Sequence, residues 1–136
     1  MFYWIRANPT LVYFVGRWGC IPYWLLLTVA THWPLPGVVL PHHSDKMIHI
    51  VAYTGLAFFL GLRFQTGRLK IHRWQRATGL VVGLWAVVDE LTQIPIPGRS
   101  GDVLDCLADW AGCGLGIICA QLVMGLVKPV EPRTRD

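Results

Sequence analysis

The sequence predicts an all-α fold, an integral membrane bundle of four transmembrane helices with both termini cytoplasmic, and three observations carry that expectation. Hydrophobic residues fill 54% of the 136 positions and charged residues only 15%, with a positive mean hydropathy, a balance that small soluble domains do not usually carry. The apolar residues gather into four runs, each near the roughly 20 residues of helix that cross a hydrocarbon core. The cations gather between and outside those runs, as they do in proteins oriented by cytoplasmic Lys and Arg.

The chain divides into an interfacial segment at residues 1–17, a four-helix membrane domain at 18–127 and a cytoplasmic tail at 128–136. The stretch from Phe2 to Val15 is aromatic-rich but contains Arg6 and Pro9, which suits a segment lying at the membrane surface. The first span runs from Trp18 to about Leu35, with Pro22 in its opening turn, where a missing N–H costs least, and Pro34 and Pro36 closing it. It is not read as a cleaved signal peptide, since Thr28 to Pro34 offers no small-x-small cleavage site. The second span opens at Ser44, a good N-cap followed by Asp45 in the first turn, and continues to about Phe64. The third covers about Ala77 to Ile94 and stops at Pro95-Ile96-Pro97-Gly98, which cannot continue a helix. The fourth runs from about Val103 to Val127, and the tail after it, with two prolines and alternating charge, suits a solvated terminus.

Orientation follows from the cations. Arg63, Arg68, Lys70, Arg73 and Arg76 lie between the second and third spans, Arg6 and Arg17 precede the first, and Lys128, Arg133 and Arg135 follow the fourth. These regions are expected to be cytoplasmic, which leaves Lys46 and Arg99 as the strong cations of the two outer connections. The net charge of +4 is then explained by topology and anionic lipid, and no nucleic-acid partner is needed.

Acids inside the spans are the informative exception, because carboxylates in a membrane are expensive and mark sites. On the second helix Asp45, His49, Ala52 and Leu56 share a stripe, with Tyr53 at its edge. On the third, Gly79, Gly83, Ala86, Glu90 and Gln93 do so, with Asp89 to one side. On the fourth, Asp102, Asp105, Asp109, Gly112 and Gly116 again place acids above small residues that admit a close neighbour. The shared design predicts that the third and fourth helices pack together, with the polar ends converging near the outer face.

Three motifs in order, Asp45-Lys46-x-x-His49, Asp89-Glu90-x-x-Gln93 and Pro97-Gly98-Arg99-Ser100-Gly101-Asp102-x-x-Asp105-x-x-x-Asp109, make the chain resemble the VanZ-like membrane proteins. The resemblance covers about residues 45–120; Asp109 stands where many members of that family have Asn. It implies a multi-pass protein of the bacterial cytoplasmic (inner) membrane, associated with the cell envelope. The family takes its name from a protein associated with resistance to teicoplanin, but nothing in composition or spacing points to an antibiotic.

Three functions compete for these residues: structural glue, ligand binding, and a phosphatase- or transferase-like membrane enzyme acting on a phosphorylated lipid. As structural glue, Arg99 would neutralise Asp102 or Asp105 while His49 and Gln93 satisfy Glu90, fixing helix register without adding stability. As a ligand site, Asp45, Lys46, His49, Glu90, Gln93, Arg99, Asp102, Asp105 and Asp109 would form a pocket for a phospholipid headgroup or a lipid-linked cell-wall precursor, with Arg99 on a phosphate and the acids on hydroxyls. His49, Glu90 and Asp105 are the candidates for catalysis, His49 and Glu90 as a proton-transfer pair. Arg99-x5-Asp105-x3-Asp109 is similar to an element of type 2 phosphatidic-acid phosphatases, but Asp105 replaces their nucleophilic His and their other motifs are missing. No cofactor is assigned. A metal at His42, His43, Asp45 and His49 is a weaker reading, because no H-E-x-x-H or paired C-x-x-C arrangement supports it, and calcium or magnesium at the acids is open if Arg99 points elsewhere. The small-residue stripes could also serve a homo-oligomer. Cys20, Cys106, Cys113 and Cys119 read as free packing residues. Trp4, Trp18, Trp33 and Trp74 read as an interfacial belt, and Trp24, Trp85 and Trp110 as packed against lipid or helices.

Overall fold

A computed structural model describes residues 9–34, 44–66, 71–99 and 101–127, and within them the fold is all-α. The helices are α1 (Pro9–Trp18), α2 (Cys20–His32), α3 (Ser44–Thr66), α4 (Ile71–Gln93) and α5 (Val103–Leu126). Asp45–Thr66 and Val103–Leu126 are each long and apolar enough to cross a membrane, and α1 with α2, bent by 47°, qualifies as a third span if the pair is one. Helix α4 has the length, at 23 residues, but carries Arg73, Arg76, Asp89 and Glu90 and falls short of that apolar standard. The four-span expectation therefore stands only in its coarser form, a helical membrane protein with two or three candidate spans.

The N-terminal half departs most from the expected boundaries. Pro9 opens a helix, as proline does well at a first helical position, and α1 runs on to Trp18 where an interfacial segment ending at residue 17 was expected. Gly19 joins it to α2 because there is no room for a side chain: a β-carbon would lie 2.7 Å from the Val15 carbonyl and 3.0 Å from Phe59 Cδ1. Gly16 is similarly pressed on Leu62. The α1–α2 elbow thus wraps α3, and Tyr23 Oη fastens it by donating to the Ala52 carbonyl at 2.9 Å.

The most extensive interface joins α3 to α5; α4 and α5 also pack together as expected, but the small residues of α5 close on α3 and not on the glycines of α4. Gly112 meets the backbone of Ile50, and Gly116 meets Thr54, Ala57 and Phe58. Gly79 and Gly83 of α4 instead face space, with Ile117 and Trp110 each 3.8 Å from where a β-carbon would sit. Periodicity identifies which face of a helix is smooth, but not which neighbour it meets. The α4 glycines accordingly line an open apolar groove of about 440 Å³ with Leu80, Leu84 and Trp110, bridged where Trp110 Nε1 donates to the Gly83 carbonyl.

Tyr53, Leu56, Ala57, Leu60, Val82, Ala86 and Cys113 fill the centre, and Leu62, Trp74 and Ala120 form a second cluster toward the other end. Trp74 is fully buried, a correction to its place in an interfacial belt: α4 begins at Ile71, earlier than expected, and its first turns reach inside. Trp24 and Trp85 stack edge to face as packed residues should. All four cysteines are free. Leu25, Leu26, Val51, Leu84, Leu91 and Leu122 are among many exposed apolar residues, the surface lipid would cover.

Candidate functional site

Helix ends build the site. The start of α3, the end of α4 and the start of α5 meet at one end of the bundle, and local sequence fixes each of them. Gly98, at φ 82°, makes the turn after α4 that only glycine adopts freely. Asp102 then caps α5, its Oδ1 accepting from the Leu104 N–H at 2.8 Å. That N–H, with the Lys46 ammonium behind it, holds the Asp102 carboxyl below the usual carboxylate range.

Lys46 is the hub of the outer part. Its Nζ donates to Asp105 Oδ1 at 2.9 Å, Asp102 Oδ2 at 3.2 Å and Asp45 Oδ2 at 3.3 Å. Asp45 and Asp102 are partly exposed, Asp105 is buried, and the group grades from water toward the interior. One turn deeper, His49 Nδ1 lies 2.9 Å from Asp109 Oδ1 and 3.8 Å from Glu90 Oε1. The other Glu90 oxygen accepts from the Asp102 N–H at 2.9 Å, so the acid of α4 ties down the cap of α5. Glu90 Oε1 and Asp109 Oδ2 are buried and have no hydrogen-bond partner among the described residues. Such atoms are costly unless a proton or a ligand satisfies them.

Two expected members lie outside this constellation. Arg99 pairs with neither Asp102 nor Asp105: its Nη2 donates to the Ala30 carbonyl at 2.8 Å and its Nε to the Trp33 carbonyl at 3.3 Å. Those carbonyls end α2, where a helix leaves acceptors unsatisfied, so the guanidinium acts as a C-terminal cap. Gln93 serves Asp89 rather than Glu90, donating from Nε2 to Oδ2 at 3.0 Å. Asp89 is fully buried at a separate junction, where Thr31 Oγ1 also donates to it at 3.0 Å and His32 Nδ1 stands 3.6 Å away. Sequence reasoning put Asp89 aside because it is off the α4 stripe, and Thr31 and His32 of α2 went unnoticed; a buried acid next to Glu90 was the available signal. His42 and His43 lie outside the described residues.

Beside the acids, Val87, Leu91, Ile94, Gly101 and Cys106 line a crevice of about 210 Å³ whose wall includes Glu90 and Asp102. The site is therefore amphipathic, acceptor-rich at one edge and hydrocarbon-like at the other.

Long apolar helices around a cluster of buried acids mark an α-helical membrane protein. The chain belongs to the VanZ family: a family model described as VanZ/LLP1 matches residues 6–124. No curated protein and no solved structure matches significantly.

Proposed function

We propose that the protein is a multi-pass protein of the bacterial inner membrane that binds the polar headgroup of a cell-envelope lipid or glycan-linked ligand at this helix-end site. In this reading four spans place both termini in the cytoplasm, because the Lys and Arg residues of the α3–α4 connection and the tail are then inside, and the acids face outward. The observation that carries the reading is the crevice of about 210 Å³ running from Glu90 and Asp102 onto Val87, Leu91 and Ile94. An amphiphile suits it, with its headgroup on the acids and the start of its chain on the aliphatic wall.

The chemistry favours headgroups that donate. Asp45, Asp102 and Asp105 surround a single ammonium, and the Arg99 guanidinium is spent on carbonyls, so sugar hydroxyls or an ammonium group suit the rim better than a bare phosphate. A role in glycopeptide resistance would follow if the bound ligand were a cell-wall precursor.

The test is native mass spectrometry of the protein released from bacterial membranes, followed by exchange against labelled lipids. A retained lipid, lost in Asp105→Asn and kept in Arg99→Ala, supports the site as drawn; no retained or exchangeable lipid counts against it. A second reading rests on His49 lying between Asp109 and Glu90, an arrangement suited to general acid–base chemistry. It expects the same preparation to convert a phosphorylated lipid, and Glu90→Gln to stop the conversion.

A further inference from the structure

The inner half of the site has a chemistry of its own. One ring nitrogen of His49, one carboxylate oxygen of Glu90 and one of Asp105 all lie within 4.8 Å of one another, contributed by three different helices. The His49 and Glu90 side chains are each 9% exposed and Asp109 is 0% exposed. Glu90 Oε1, on the His49 side of its carboxylate, has no partner among the described residues, and neither has Asp109 Oδ2. Lys46 hydrogen-bonds Asp105 through Oδ1, leaving Oδ2 available. Three buried carboxylates face one imidazole, and the nearest ammonium is shared with two further acids at the rim.

We propose that His49, Glu90 and Asp105 bind a divalent transition-metal ion, with Asp109 orienting His49. One imidazole and two carboxylates form a donor set that suits Zn²⁺ or Mn²⁺; Ca²⁺ and Mg²⁺ prefer all-oxygen sites. Nδ1 stands 2.9 Å from Asp109 Oδ1 and 3.8 Å from Glu90 Oε1. In the tautomer with Nδ1–H donating to Asp109 the lone pair falls on Nε2, so the ring must shift to bring Nε2 onto an ion between Glu90 and Asp105, with Asp109 as the outer carboxylate partner usual for a metal-bound histidine. Ligands at roughly 2.1 Å from a tetrahedral ion stand about 3.4 Å apart, so small side-chain rotations close the set around it. Three protein ligands would leave a coordination position open. The ion answers the buried charge in a way that protonation answers only by removing it. Ion binding does not depend on headgroup binding, so either reading can fail alone.

The test uses tag-free full-length protein in detergent, stripped with a chelator and titrated separately with ZnCl₂, MnCl₂ and CaCl₂. Bound metal is counted after desalting, and the thermal midpoint is followed by circular dichroism. The expected result is saturation at one Zn²⁺ or Mn²⁺ per chain with a raised midpoint, and no comparable response to Ca²⁺. Affinity falls about 10–100-fold in Asp109→Asn, as for other outer partners, and further in Glu90→Gln and Asp105→Asn. Asp105→Asn decides the matter if Glu90→Gln does not fold. Absence of saturable binding to the wild type overturns the proposal, as does undiminished binding by the folded ligand variants, which would put the ion on other donors.

Discussion

Replacing Gly116 by Ala separates the observed helix pairing from the one the glycine stripes implied. A β-carbon there would stand 2.7 Å from Ala57 Cβ and 2.9 Å from Phe58 N, and closer still to the Thr54 carbonyl. Carbon atoms settle at about 3.5–4.0 Å, so α3 and α5 must part by about 1 Å. The obstacle is largely backbone and cannot rotate away, which puts the cost near the top of the range of about 1–3 kcal/mol for overpacking. Alanine recovers about 1 kcal/mol of helix propensity, leaving a net loss of about 1–2 kcal/mol. Gly112→Ala, pressed on the Ile50 backbone, should behave alike. Gly114→Ala meets nothing within 4 Å and Gly83→Ala meets only Trp110 Nε1 at 3.8 Å, so both should be neutral or stabilising. Reversible unfolding in mixed micelles, followed by circular dichroism, measures all four. Greater destabilisation by Gly83→Ala than by Gly116→Ala would refute the α3–α5 packing.

Three further outcomes follow. Lys46→Met should lower the thermal midpoint by leaving Asp45, Asp102 and Asp105 facing one another, and the double variant with Asp105→Asn should recover part of the loss, a coupling that a double-mutant cycle measures. Arg99→Ala should cost about 1 kcal/mol through the carbonyls of Ala30 and Trp33 and leave ion and lipid binding unchanged; lost binding in a folded protein would return Arg99 to the site. Because the folded-state pKa of Asp102 is depressed, its stabilisation is complete above the ordinary carboxylate value of about 3.9 and disappears as pH falls through the lower folded value. Asp102→Asn, which caps without titrating, should flatten that part of the acid limb of a stability–pH curve and lower the neutral plateau by what the charge contributes beside Lys46.

Much of the fold was legible because helix ends obey local chemistry. Ser44 begins α3, Asp102 caps α5 and Pro95 follows α4 closely, each where the sequence placed a boundary. The first turns of α4 were missed because Arg73 and Arg76 look like loop in a hydropathy scan, although the helix they sit on buries Trp74. The elbow at Gly19 was missed because it depends on Phe59 and Val15 pressing on one glycine. Within the site, helical spacing brought Asp105, Asp109, His49 and Glu90 together correctly as members of facing stripes. It could not assign partners: Lys46 rather than Arg99 holds Asp105, and Gln93 turns to Asp89, because those choices depend on side-chain reach between helices.

In the proposed function the inner acids are kept for binding and not for holding the helices together. The direct measurement is the unfolding free energy of chelator-stripped, delipidated wild type beside Glu90→Gln and Asp109→Asn, which keep shape and remove charge. Buried charges held for a ligand cost stability when the ligand is absent, so both variants should be at least as stable as the wild type while losing the added stability that ion or lipid confers. Destabilisation of both by more than about 2 kcal/mol, with ligand responses intact, would contradict the account and make the cluster a structural network.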